Sequence, residues 1–366
     1  MSHVSNAVVH LSMRFQDNFL AHGTGVLYRR GDDYFIVTAW HNLTGRHPDT
    51  LALLDGGNAG IPDNLLVYVA LEIENFGSTR LPFRVPLFNE HHALFFVHEQ
   101  NFPRVDVAAI PFDPSKPQMM DIQTSGQRNQ GSFVLNGTGA VGHTQRIVAI
   151  QDFMPSSDLC DEWLRSVDVT DELFIPGYPQ NIHDYTVQPV WKRATVASSV
   201  QLGWNRQPLF LVDTASKSGM SGSPVISYSP HGRINLGSTI YNHGRPTAIF
   251  GGVYTGRLGI TTKEDPQVGT VWHPKVVDEI IDNGVHERLA GEIVANDSEV
   301  EAAVREVLKE ASREGVENIL DASKQSRHYF RQRVQTQMNG RAAPDVALEK
   351  LLLVAESYEG PFRSDC

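Results

Sequence analysis

The chain is poor in cysteine: Cys160 and Cys366 are the two it holds, about 200 positions apart. Such a pair makes no disulfide framework, so a reducing, cytoplasmic setting is the expectation. No run of about 18 apolar residues occurs, and without one a spanning helix is not expected. The opening stretch MSHVSNAVVHLSMRF has no charged start followed by an apolar core and a small-residue cleavage site, so no export signal is expected. Positive charge is in deficit. The 31 Lys and Arg against 42 Asp and Glu leave a formal charge of −11, with no long basic tract, which does not suit a phosphate-backbone partner. No metal signal appears either: His91, His92, His98 and Glu99 crowd one loop, but not at H-E-x-x-H spacing and with no cysteine nearby. The run from Gly137 to Gly142 spells a dinucleotide fingerprint. That pattern needs a helix behind it, whereas the next stretch, RIVAIQDF, reads as a strand. No metal or cofactor is therefore expected, and no repeat of 20 to 50 residues is visible.

What the chain does have is length and ordinary globular composition. With 366 residues, 41% of them apolar and 20% charged, it exceeds the size of a single core and leaves little room for wholesale disorder. Through about residue 270, short apolar runs such as GTGVLY, YFIVTAW, LLVYVALEI, VDVAAIPF, PLFLV and TAIFGGVYTG recur between Gly, Pro, Asn and Asp. Runs this short and rich in Val, Ile, Phe and Tyr read as strands of a sandwich or barrel. Arg30-Gly-Asp-Asp33 and Pro230-His-Gly-Arg233 are spaced as hairpin turns. After Pro274 the period changes: Val276, Val277, Ile280 and Ile281 predict a helix. From Ser298, Ser-Glu-Val-Glu reads as a capping box ahead of a stripe of Val300, Ala303, Val304, Val307, Leu308 and Ala311. Pro344 and Asp345 open a second amphipathic segment, and the basic stretch RHYFRQRVQ lies between the two.

Residues 216 to 225, SKSGMSGSPV, pack small residues around Ser221. They suit a permissive turn, or a nucleophile loop that needs a base, an orienting carboxylate and backbone N–H donors. His41 follows the apolar run YFIVTAW, where the end of a strand gives a base a rigid mount; it also suits a histidine merely hydrogen-bonded there. Asp106 sits among Val105, Val107, Ala108 and Ile110, so its carboxylate must be paired or must face water from an edge strand. The elbow Gly-x-Ser-x-Gly fails, because residue 223 is Ser.

Taken in order, the stretches TAWH, VDVAA and GMSGSP resemble those of the chymotrypsin-like, or trypsin-like, serine peptidases. GTGVLY, FIPGYPQ at 174 to 180 and GTVWHP at 269 to 274 are similar to the bacterial intracellular or glutamyl-endopeptidase-like branch. The resemblance implies an all-β, chymotrypsin-like double β-barrel over 1–285 and a smaller α-helical C-terminal region over 286–366. It implies a serine endopeptidase in which Ser221 is the nucleophile, His41 the base and Asp106 its orienting acid, with the amides of Gly219 and Ser221 as the oxyanion hole. Ala215, Ser216, Tyr254, Thr255 and Gly256 fall at substrate-binding positions. Met220 stands where secreted members keep an Asp that pairs with a newly cut N-terminus, so activation of that kind is not expected; Ala215 stands where trypsin keeps an acidic pocket floor and Val253 where glutamate-specific relatives keep a His, so a small or apolar residue before the cleaved bond is expected. The partner implied is a protein or peptide substrate. The helices then serve regulation or self-association, or simply dock on the barrel. The alternative function is a catalytically silent peptidase-fold module that binds peptides or proteins.

Overall fold

The computed structural model describes residues 3–54, 60–124, 127–138, 142–237, 239–258, 267–314 and 324–357. It is mostly β in its first 272 residues and helical at its end. Eleven strands of the first half and the distant Val285–His286 form one antiparallel sheet of twelve strands among the described residues. At its centre Val8–Phe15 pairs with Asn18–Arg30 on one side and with Asn64–Ile73 on the other. The expected turn at Gly31-Asp32 is present, with Arg30 opposite Asp33 at the start of the strand Asp33–Thr38. Alternation along these strands feeds two cores, because successive side chains leave opposite faces. Leu27 and Ile36 join Val9, Leu65, Val67 and Phe83 inside the sheet's own core. Val26, Tyr28, Phe35 and Val37 face the other way, into a second core shared with Phe250 and Trp272 of the next unit.

That second unit is a closed barrel of Glu172–Gly177, Val190–Val196, Leu209–Asp213, Val268–Trp272, Thr247–Arg257 and Ser223–Ser229. The expected pair of barrels is thus met by one closed six-stranded barrel and one long sheet whose strand path is open. The hairpin expected at Pro230–Arg233 is not formed. The chain does turn there, but Arg233–Leu236 leaves the barrel and pairs with Thr239–Asn242, while Ser223–Ser229 pairs with Thr247–Arg257 instead.

Six α-helices lie among the described residues: α1 (Trp40–Thr44), α2 (Ser157–Ser166), α3 (Pro274–Asn283), α4 (Asp297–Arg313), α5 (Lys324–Gln337) and α6 (Pro344–Ser357). The periodicity behind α3 holds, with Val276, Val277 and Ile280 buried. The cap of α4 lies two residues earlier than the sequence reading: Asn296 accepts from the Glu299 N–H and the Glu299 side chain takes the Asn296 N–H. Asparagine caps as well as serine, and Asn296 and Glu299 keep the same spacing, so Ser298 becomes an interior residue. A boundary at 285/286 falls inside a strand, since Val285 and His286 pair with Phe96–Val97 and Ile293 still packs in the first core. The separate helical core begins at Ala295 and includes Val304, Leu308, Phe330, Val334 and Leu351. No helix among the described residues is long and apolar enough to cross a membrane. Cys160 is buried as a free thiol, and Cys366 lies outside the described residues.

Candidate active site

The ends of two neighbouring strands bring His41 and Asp106 together. Thr38 closes one strand opposite Ala108, which opens the other, so the residues just beyond each end meet. Asp106 is buried, and its Oδ1 accepts from the His41 backbone N–H at 3.1 Å. His41 Nδ1 lies 3.0 Å from Oδ1 and 2.8 Å from Oδ2. A carboxylate accepts only, so Nδ1 carries the proton and Nε2 is left as the basic nitrogen. Burial of a carboxylate needs such donors, and the same contacts fix the imidazole plane.

Ser221 lies in the connection between the barrel strands Leu209–Asp213 and Ser223–Ser229. Glycines shape the loop: Gly219 has φ +90° and Gly222 φ +88°, conformations that side-chain-bearing residues enter at a cost. A Cβ on Gly222 would overlap the Thr24 carbonyl oxygen and Thr38 Oγ1. The first unit fastens this loop. The Ser221 carbonyl accepts from the Thr24 N–H at 3.0 Å and from Asn42 Nδ2 at 2.9 Å, and Gly219 O accepts from Thr24 Oγ1 at 2.7 Å. Met220 turns inward and packs in the barrel core, while Gly222 N–H donates to Tyr254 O at 2.7 Å. Because Asn42 follows His41 in α1, one short helix sets both the histidine and the serine loop. In the sequence, the only signals of these anchors are the GTG stretch around Thr24 and the place of Asn42 directly after His41.

His41, Asp106, Ser221, Thr255 and Gly256 line one cleft of about 780 Å³ between the two units. The Ser221 hydroxyl donates to the Thr255 carbonyl at 3.2 Å, so its proton points along the barrel and not at the imidazole. Among the described residues, neither the Gly219 nor the Ser221 N–H meets a protein acceptor. A hydroxyl and an oriented imidazole therefore line one cleft, while Gly219 is not among the residues lining it. Pairing of Thr247–Arg257 with Ser223–Ser229 ends at Tyr254, so Thr255 and Gly256 lie just beyond that ladder among the described residues. Ala215 is exposed, and neither it, Ser216 nor Tyr254 lines the cleft. Tyr254 is inside the barrel: its hydroxyl and Ser216 Oγ bond each other, and its ring lies where a side chain on Gly269 would go. Burial pushes the Tyr254 phenol up from its ordinary value.

The other sequence candidates lie elsewhere. His98 faces Glu279 of α3 at 3.4 Å, and His92 packs on the His286 ring. Among the described residues no group of three or more His, Cys, Asp or Glu is placed to hold a metal. Of the fingerprint at 137–142, residues 139–141 lie outside the described residues. The next elements are a three-residue strand, Thr144–Arg146, and a single helical turn at Ile150–Phe153, in place of the longer strand expected.

No family model and no curated protein matches the chain. Among solved structures it is similar to the Rv3671c protease of M. tuberculosis in an inactive form, at 14% identity over 76% of this chain and 88% of that one, with a TM-score of 0.34. It is likewise similar to a serine endoprotease from Yersinia pestis, at 13% identity over 77% of this chain and 65% of that one, with a TM-score of 0.36. These likenesses are distant.

Proposed function

We propose that the protein is a serine endopeptidase that cleaves peptide bonds through an acyl-enzyme on Ser221. The observation that carries this reading is the buried Asp106 carboxylate holding His41 by both its backbone N–H and Nδ1, at the edge of the cleft that Ser221 lines. The first event is a turn of the Ser221 hydroxyl from Thr255 O towards His41 Nε2, which gives up one hydrogen bond of about 1 kcal/mol. Ser221 Oγ then bonds to the scissile carbonyl carbon while its proton passes to Nε2. The carbonyl oxygen becomes an oxyanion, for which the Gly219 and Ser221 amides are the donors, each of that kind worth roughly 3 kcal/mol. Collapse breaks the C–N bond, and His41 returns the proton to the leaving amine. Water repeats the sequence on the acyl-enzyme, with His41 again as base, and releases the acid.

Thr255 and Gly256, just beyond the last residue of Thr247–Arg257 that pairs with Ser223–Ser229, suit an extended substrate lying alongside them as an added strand. With Tyr254 and Ser216 filling the barrel interior behind it, a small residue before the cleaved bond fits best. Labelling with a fluorophosphonate probe, followed by mapping of the modified peptide, tests the proposal. One adduct on Ser221 is expected in the folded protein. In Ser221→Ala it should vanish, with peptide turnover falling by about 10⁶ if the three residues act as a unit. The Thr255-bound hydroxyl favours one second reading, a silent module that binds peptides without turnover. Folded protein that resists the probe and cleaves nothing would select it.

A further inference from the structure

Behind the His41–Asp106 pair lies a buried polar group that the chemistry above does not use. Trp40, the residue before His41, is fully buried and donates its indole N–H to Glu287 Oε2 at 2.8 Å. Arg104, two residues before Asp106, lays its guanidinium over the Trp40 ring, 4.3 Å from the centroid. Arg104 Nη1 donates to the same Glu287 oxygen at 3.4 Å, and Nη2 to the Gly340 carbonyl at 3.1 Å. Gly340 belongs to the turn between α5 and α6. Its neighbour Asn339 accepts from the Asn101 N–H at 3.0 Å and donates to Glu99 O at 3.2 Å. Arg104 and Glu287 are each 5% exposed. An ion pair buried this deeply is a weak source of stability, and an apolar pair of the same volume commonly does as well. Its placement directly behind the base and the acid points to another role.

We propose that Arg104 and Glu287 are positioning residues, through which docking of the α5–α6 turn sets the orientation and the charge environment of the His41–Asp106 pair. The proposal rests on the peptidase reading of that pair. Arg104 feels the Asp106 charge, yet its hydrogen bonds go to Glu287 and to Gly340 O. When the turn leaves, Arg104 loses an acceptor and is free to compete with His41 for Asp106, while Trp40, the first residue of α1, loses its clamp. The other charged or titratable groups along the cleft are His47 and Asp49 beyond α1 and Arg257 on the barrel.

The test uses full-length protein and three substitutions. Gly340 has φ +74°, and a Cβ there would overlap the Asn101 carbonyl, so Gly340→Ala prises the turn away without touching the cleft. It should lower kcat by about 10- to 100-fold with KM little changed, the cost of a misplaced base. Glu287→Gln leaves the Arg104 charge uncompensated and disfavours imidazolium, so the acid limb of kcat/KM moves to lower pH. Arg104→Met removes the cation and moves the limb to higher pH. Each shift should be roughly half to one unit, and the double variant should return near the wild-type limb. A merely structural pair would lower melting temperature and leave the limb in place, and that result overturns the proposal. Unchanged kcat in Gly340→Ala overturns it as well, and decides the matter if the charge variants do not fold. The His41 Nδ1–H resonance, followed by NMR across pH, reads the same opposite shifts without turnover. Failure of the peptidase reading alone therefore leaves this readout intact.

Discussion

Replacing Asp106 by Asn changes one atom and tests how the imidazole is held. Asp106 Oδ1 accepts the His41 backbone N–H at 3.1 Å and lies 3.0 Å from Nδ1, while Oδ2 lies 2.8 Å from Nδ1. Asparagine has one oxygen to share between these demands. With the oxygen in the Oδ1 place, the backbone bond survives and the NH₂ faces Nδ1. With the oxygen in the Oδ2 place, two buried donors, the NH₂ and the His41 N–H, confront each other, and an unsatisfied donor costs roughly 1–3 kcal/mol. The first arrangement wins. It forces the ring proton from Nδ1 to Nε2, the nitrogen that accepts the serine proton in the proposed reaction. A base already protonated at the attacking position should cost about 10⁴ in kcat, near 5.5 kcal/mol of barrier. Peptide-hydrolysis kinetics measure this, with near-UV circular dichroism to show that the variant is folded and fluorophosphonate labelling to show the same loss of serine reactivity. A folded Asp106→Asn variant within tenfold of wild type would show that the tautomer is set elsewhere and would refute the reasoning.

Other expectations concern the frame around the site. Gly222→Ala puts a Cβ into the Thr24 carbonyl and Thr38 Oγ1 at φ +88°, so a loss of roughly 2–5 kcal/mol is expected in urea unfolding, and a loss under about 1 kcal/mol would contradict it. His10 is held neutral by burial, which lowers its pKa to about 4 from 6.5 despite the hydrogen bond to Asn181. The unfolded chain takes up that proton first, so stability should be lost as pH falls from 6.5 towards 4, by about 3 kcal/mol in all, and His10→Leu should flatten that part of the curve. Parallel curves for the two proteins would exclude His10 as the source. Leu308, fully buried among the helices, should cost about 2–5 kcal/mol when cut to Ala, read as earlier melting of the helical signal.

The strands were legible because each buried face writes its own alternation, as Leu27 and Ile36 do against Val26 and Val37. His41 and Asp106 were legible for a related reason: polar groups at the ends of apolar runs need a partner, and the ladder places these two at adjacent ends. The anchors of the serine loop were not. Thr24 and Asn42 act across more than 170 positions, and nothing local distinguishes them from ordinary polar residues. α5 hid behind its charge, since the stretch RHYFRQRVQ buries only Phe330, Val334 and Gln335 while the rest of its surface stays polar or partly exposed. Nor does the turn at Pro230–Arg233 announce that Arg233–Leu236 pairs with Thr239–Asn242 in a two-stranded sheet of its own, outside the closed barrel.

The fastening of Ser221 to Thr24 and Asn42 has a consequence for the order of events in synthesis. The first unit carries the histidine and the carboxylate, and the second carries the hydroxyl, so neither unit holds a complete set by itself. A chain made from its N-terminus has the first two groups well over 100 residues before the third. On the proposed peptidase reading, reactivity arises only when both units have closed on each other, and a half-made or half-unfolded copy would cleave none of its neighbours.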